Sequence, residues 1–227
     1  MKKKLLIFIL AIIVLTFFYK KKIFEFIIIK KLSDWTEYRV NLNIAKFNFN
    51  PGYLEIINFR LINNDNFSSK NLFESELIKI NFRTNTVFQN KVEIDNIFFL
   101  NPKLFFEIKN NDTNKKVKII DNLKLVENLS KKKDSKMYPK KNKDKNFIIY
   151  NLSLNDAEVY LKYPENQKNY QIKLSDMSFR KVGNLKNTNL NNSQHFKDVL
   201  KIMLNDIYFR IPDEKFREFI KENYKLK

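Results

Sequence analysis

The sequence predicts a mainly β fold with some α. Its parts are an N-terminal membrane-anchor helix, a curved antiparallel sheet or groove built from repeated bulged hairpins, and C-terminal helices. Three observations predict it. An uninterrupted apolar run, Leu5 to Tyr19, lies between lysines. From Val40 to about Phe179 apolar residues recur at every second position, the period of a half-buried strand. Beyond residue 195 the apolar period lengthens to that of a helix. These shifts divide the chain into an anchor (1–22), a short helix leading into the sheet (23–39), a β-groove domain (40–185) with a basic loop at 130–145, and C-terminal helices (195–227).

Lys2, Lys3 and Lys4 precede the apolar run, and Lys20, Lys21 and Lys22 follow it. At about 1.5 Å per residue a helix of this length reaches about 22 Å, short of the roughly 30 Å hydrocarbon layer. The flanking lysines must therefore snorkel, or the bilayer must thin locally. No small-x-small site follows the run, since Ala11 lies inside it and the next alanine is Ala45, so an uncleaved signal anchor is expected. Equal lysine counts leave orientation open on charge alone, and export of the large C-terminal part is the expectation for such an anchor. The stretch IFEFIIIKKLSDWTEY, residues 23–38, continues as a helix that prolongs the anchor or lies on the membrane surface.

Within the strand region one template recurs. LNIAKFNFNPGYLEIIN (42–58), VEIDNIFFLNPKLFFEI (92–108) and FIIYNLSLNDAEVYLKY (147–163) carry apolar residues at positions 1, 3, 6, 8, 13 and 15. Positions 1 and 3 are out of phase with 6 and 8, which a bulge would correct, at Ala45-Lys46, Asp95-Asn96 and Tyr150-Asn151. The half-pattern repeats around Ile57-Asn58 and Ser175-Asp176. Asn50-Pro51-Gly52, Asn101-Pro102 and Asn155-Asp156 suit chain reversal, so each copy is expected to be a curved hairpin. An ordinary antiparallel meander would yield similar patterns without duplication.

The lysine-rich segment 130–145 reads as a solvated loop, and 186–194 as a second. Phe196, Val199, Leu200, Met203 and Ile207 then recur at helical spacing. Ile211-Pro212-Asp213-Glu214 opens another helix carrying Phe216, Phe219 and Ile220. Both helices are expected to cap the sheet.

A net charge of +18 invites nucleic acid or anionic lipid as partner, but no nucleic-acid reader motif accompanies it. The chain has no cysteine, which removes thiol catalysis, disulfides and cysteine metal sites. His195 is its single histidine, with no second His or Cys to share a metal, and it reads as a surface residue. The two glycines, Gly52 and Gly183, cannot build a phosphate-cradling loop. Asp95, Glu107, Asp156 and Glu158 are expected on solvated faces. No catalytic, metal or cofactor site is expected.

The segments KKLSDWTEYRVNL (30–42), GYLEIINFRLINNDNF (52–67), VEIDNIFFLNPKLFFEI (92–108) and NLSLNDAEVYL (151–161) resemble the N-terminal region of AsmA-like envelope proteins over roughly residues 1–180. Two departures stand out: Thr36-Glu37 occupies the place of the family's Thr-Gly, and the long strand array of large members is missing. The resemblance implies an inner-membrane, single-pass protein with its main domain in the periplasm. It also implies an apolar β-groove that binds phospholipid acyl chains in lipid transport or outer-membrane assembly. Phe47, Phe49, Ile94, Ile97, Phe99, Leu104, Phe106, Ile149, Leu152 and Val159 would supply the apolar face. Other envelope proteins, or further copies meeting at open edges, are the expected protein partners. Two other readings stay open: an envelope assembly scaffold with a packed core, and a basic nucleic-acid or membrane-surface binding module.

Overall fold

The structure, a computed structural model, describes residues 21–34, 36, 38–63, 67–113, 116–121, 146–162, 169–183 and 196–224. The apolar run Leu5–Tyr19, the basic loop 130–145, the loop 186–194 and His195 lie outside the described residues. No helix among the described residues is long and apolar enough to cross a membrane.

Helix α1 (residues 21–34) leads into strands β1 (Arg39–Asn48), β2 (Tyr53–Ile62) and β3 (Asn71–Phe82), an antiparallel meander. There follow β4 (Lys91–Leu100), β5 (Lys103–Thr113), β6 (Lys116–Asp121), β7 (Asn146–Asn155), β8 (Glu158–Lys162), β9 (Asn169–Lys173) and β10 (Met177–Gly183). Helices α2 (Phe196–Arg210) and α3 (Glu214–Tyr224) close the sequence of elements. Among the described residues all the strands join one ten-stranded sheet.

The expected hairpins form once. At Asn50-Pro51-Gly52 the chain reverses, with Phe82 N–H bonded to Gly52 O at 2.9 Å. A Cβ on Gly52 would lie 2.0 Å from the Phe82 carbonyl oxygen, so the approach requires glycine. At Asn101-Pro102 and Asn155-Asp156 the chain instead carries straight on. Strand β3 pairs along one edge with both β4 and β5, antiparallel to each, so β4 and β5 run the same way as one kinked strand. β7 and β8 do likewise, each parallel to its counterpart, and β10 and β9 complete the edge on β7 and β8. The sheet is therefore mixed, not purely antiparallel.

This arrangement accounts for the repeat. The second and third copies pair in register: Val92 with Phe147, Ile94 with Ile149, Ile97 with Leu152, Phe99 with Leu154, Leu104 with Val159, and Phe106 with Leu161. Parallel neighbours in register must alternate inward and outward together and kink at the same place, so they carry one apolar pattern. Bulges fall where the phase requires them. The β1–β2 register shifts at Ala45, the β3–β4 register shifts at Asp95, and regular pairing is interrupted at Tyr150 and Lys181.

The kinks align across the sheet. Asn58, Asn101 and Asp156 have φ of 54°, 49° and 54°, left-handed backbone that Asn and Asp tolerate better than other non-glycine residues. Backbone bonds from Asn101 N to Asn155 O (3.0 Å), Glu158 N to Pro102 O (2.9 Å) and Leu174 N to Ala157 O (2.8 Å) stitch the breaks together. In β3 the Ser75 hydroxyl, buried at the same level, donates within reach of Leu77 O and Leu100 O, at 3.2 and 3.0 Å. Asn58→Val should lower stability by about 1–2 kcal/mol, because a β-branched residue resists positive φ, whereas Asn58→Gly should not. Urea midpoints of the two variants provide the check.

One face of the sheet is covered from both sides. α1 runs antiparallel to β1, placing Phe24, Ile28, Ile29 and Leu32 over a cluster of Val40, Leu42, Ile44, Leu54, Ile56 and Ile78. It also protects the sheet edge: Ile44 N–H donates to the buried Glu25 carboxylate (3.4 Å) and Val40 N–H to Ser33 Oγ (3.1 Å). At the other side α2 and α3 bring Val199, Leu204, Ile207, Phe216, Phe219 and Ile220 onto Phe106, Ile108, Val159 and Leu161. All but Leu204 of these helix residues are ones the helical spacing picks out, Met203 is half-buried, and the side chains of Phe196 and Leu200 lie outside the described ones. Asp213 caps α3, accepting from Phe216 N–H at 3.1 Å and from the Tyr170 hydroxyl at 3.1 Å.

Candidate functional site

The register lays apolar side chains in rows across the covered face. One row runs Leu54, Ile80, Ile97, Leu152, Phe179, and another Ile56, Ile78, Phe99, Leu154, Met177. Beyond the kinks a third runs Leu61, Phe73, Leu104, Val159, Ile172. The first row is closed at both ends, with Leu54 in the cluster under α1 and Leu152 and Phe179 in the cluster under α2 and α3, whereas Met177 and Leu61 end the other two rows half-buried. Between the two covers Ile80, Phe82, Ile94, Ile97, Phe99 and Leu104 stay half-buried. Phe73 links the strip on both sides of the kinks, edge-on to Phe59 (6.1 Å between ring centroids) and to Phe99 (6.0 Å). At about 3.3 Å per residue the strip from Ile94 to Leu104 is about 30 Å long, twice the depth of one bilayer leaflet's hydrocarbon.

The ten residues expected to supply an apolar groove thus part into three groups. Ile94, Ile97, Phe99 and Leu104 line the half-buried strip. Phe106, Ile149, Leu152 and Val159 are buried in the closed core, Phe106 edge-on to Phe216 at 5.5 Å, and are no part of an open surface. The covering helices, remote in sequence, close over them. Phe47 and Phe49 are exposed at the end of the sheet, where Phe47 packs on Phe24 (4.2 Å) and Phe49 on Phe82 (6.5 Å) and Phe88 (6.3 Å). Sequence reasoning left out Phe59, Phe73, Ile80 and Phe82 from the strip. The alternation Ile78-Ile80-Phe82 was the signal available, and the pairing of β3 with β4 gives it meaning.

The opposite face is polar. Arg60, Glu74, Lys103, Glu158 and Lys173 lie side by side on five adjacent strands, a ladder of alternating charge. With Asn58, Asn101 and Asp156 they line an open cleft of about 460 Å³. Lys173 also bridges to Asp156 at 2.9 Å. The Tyr160 hydroxyl donates to Glu158 (2.7 Å), and that bond, with some burial, pushes its pKa up to about 12. Each charge in the ladder has an opposite neighbour, and Glu76, which accepts from the Asn101 amide at 2.7 Å, gives the cleft one acidic group more than its basic ones.

Glu107 departs from the solvated face expected for it. It is 2 % exposed, beneath the turn at residues 67–70. Burial acts to raise its carboxyl, but Ser68 N–H (3.0 Å), Ser69 N–H (2.9 Å) and the Ser68 hydroxyl (2.9 Å) outweigh that and hold it below the usual range. It is a structural anchor for the turn. Among the described residues no group of three or more His, Cys, Asp or Glu is placed to hold a metal ion. No family model matches the chain, and no curated protein matches it.

Proposed function

We propose that this is a non-enzymatic, inner-membrane-anchored protein of the AsmA-like kind, with its main domain in the periplasm. It binds phospholipid acyl chains along the half-buried apolar strip and serves lipid transport or outer-membrane assembly. The observation that supports this reading is the strip itself. Ile80, Ile97, Phe99 and Leu104 form a continuous apolar floor that α1 covers on one side and α2 and α3 on the other, and neither seals. An apolar floor of that length flanked by two covers fits a chain-like hydrocarbon ligand better than a flat protein partner.

The test is native mass spectrometry with lipid extraction of residues 21–227 exported to the periplasm. The fragment keeps α1, which is integral to the fold. Stoichiometric phospholipid is expected, and Phe99→Glu should reduce it at least tenfold in a protein that stays folded. Phe106 is unsuitable for this purpose, since a charge there would break the packing with Phe216. A folded fragment free of lipid would favour the second reading, an envelope scaffold with a closed core, for which the helix-covered cluster around Phe106 and Val159 speaks.

A further inference from the structure

Among the described residues, four of the five exposed phenylalanines belong to α1, the β1–β2 turn with its flanking strand, and the loop after β3, and the fifth, Phe209, is on α2. Phe26 of α1 is 65 % exposed and Phe88, just after the short turn Thr84–Thr86, is 83 % exposed, and of the other two Phe49 packs on Phe88 and Phe47 on Phe24 of α1. Contacts of Phe24 with Phe47 and of Phe49 with Phe82 and Phe88 tie α1, the β1–β2 turn and the end of β3 into one apolar surface. Ile23 and Ile27 extend it along the outer side of α1. Lys21, Lys22 and Lys46 are exposed around it. The apolar run Leu5–Tyr19 ends five residues before Phe24, a distance of at most about 17 Å even in a fully extended chain.

We infer that this end of the sheet, bearing Phe26, Phe47, Phe49 and Phe88, docks into the headgroup region of an anionic phospholipid bilayer. The inference rests on the anchor in the reading above. An anchor so close to α1 leaves the surface no room to stand far from the membrane. Aromatic and branched apolar side chains ringed by lysines match the boundary between acyl chains and anionic headgroups. Phe82 belongs both to this surface and to the half-buried strip, so docking sets the mouth of the strip at the lipid.

The chain lacks cysteine, so single-cysteine variants can be labelled selectively. Phe26→Cys, Phe88→Cys and Lys70→Cys, the last at the opposite end of β3, are made in the full chain and reconstituted in phosphatidylethanolamine–phosphatidylglycerol vesicles. A polarity-sensitive dye at 26 and 88 should lose at least half its emission to doxyl-labelled lipid and resist iodide. The dye at 70 should show the reverse. Equal iodide quenching at 88 and 70 would overturn the inference, as would failure of the chain to float with the vesicles. Oxidative cross-linking through position 88 without doxyl quenching would assign the surface to a second copy instead. Lipid retained by the 21–227 fragment alongside an unquenched position 88 would sink docking and keep the groove. Quenching at 88 with no retained lipid would do the opposite.

Discussion

Phe216→Ala is expected to lower the stability of the 21–227 fragment by about 3–5 kcal/mol, the range for removing a large buried aromatic side chain. Phe216 is fully buried and meets Phe106 at 5.5 Å and Phe219 at 6.4 Å, edge-on in both cases. It sets α3 against Phe106 of strand β5. Its loss leaves a cavity between helix and sheet that neither backbone can easily close. Urea unfolding should show the drop, and limited proteolysis should cut first in α2 and α3. The exposed Phe209, on α2, provides the contrast: Phe209→Ala should change stability by no more than about 0.5 kcal/mol. Equal effects at the two positions would mean that the helices do not hold the core.

The second large effect is expected at Glu107. Glu107→Gln should cost about 2–4 kcal/mol at pH 7, because the amide turns a donor toward N–H groups that need an acceptor. The pH dependence gives the distinguishing signature. The native carboxyl titrates below the usual value of 4.5, so the unfolded chain takes up a proton first as pH falls. Its stabilising contribution is fully present above that unfolded value and is lost as pH drops through the native one. The gap between wild type and Glu107→Gln should therefore be constant near neutrality and shrink below about pH 4. A gap that stays the same down to pH 3 would assign the loss to packing alone.

Much of the architecture was written in the local sequence. The two-residue period from Val40, the helical period after residue 195 and the phase slips at Ala45 and Asp95 each follow from geometry that neighbouring residues dictate. The reversals expected at Asn101-Pro102 and Asn155-Asp156 did not occur, for a definite reason. An Asn or Asp at positive φ serves a turn and a mid-strand kink equally well. What decides between them is whether a neighbouring strand spans the break, and β3, which does so for Asn101, lies some 25 residues earlier. The candidate site was legible to the same degree. Alternation picked out the apolar face, including Ile97 and Phe99, but α1, α2 and α3 decide which of those residues stay half-open. The burial of Glu107 depends on the turn carrying Ser68 and Ser69, which nothing in the surrounding strand pattern announces.

The in-register parallel pairing also orders the folding of the chain in time. In the β1–β3 meander Asn48 meets Tyr53 and Ile62 meets Asn71, so its loops close over few residues. Ile94 and Ile149, by contrast, must find each other across 55 positions of sequence, including the lysine-rich segment. Loop-closure entropy makes such contacts late and slow. The N-terminal meander with α1 is thus the expected nucleus. Destabilising substitutions at Leu42 or Ile56 should slow refolding, whereas those at Leu152 or Val159 should mainly hasten unfolding. Shortening the segment 130–145 should speed the docking of β7 on β4 by only a small factor, since closure entropy grows with the logarithm of length.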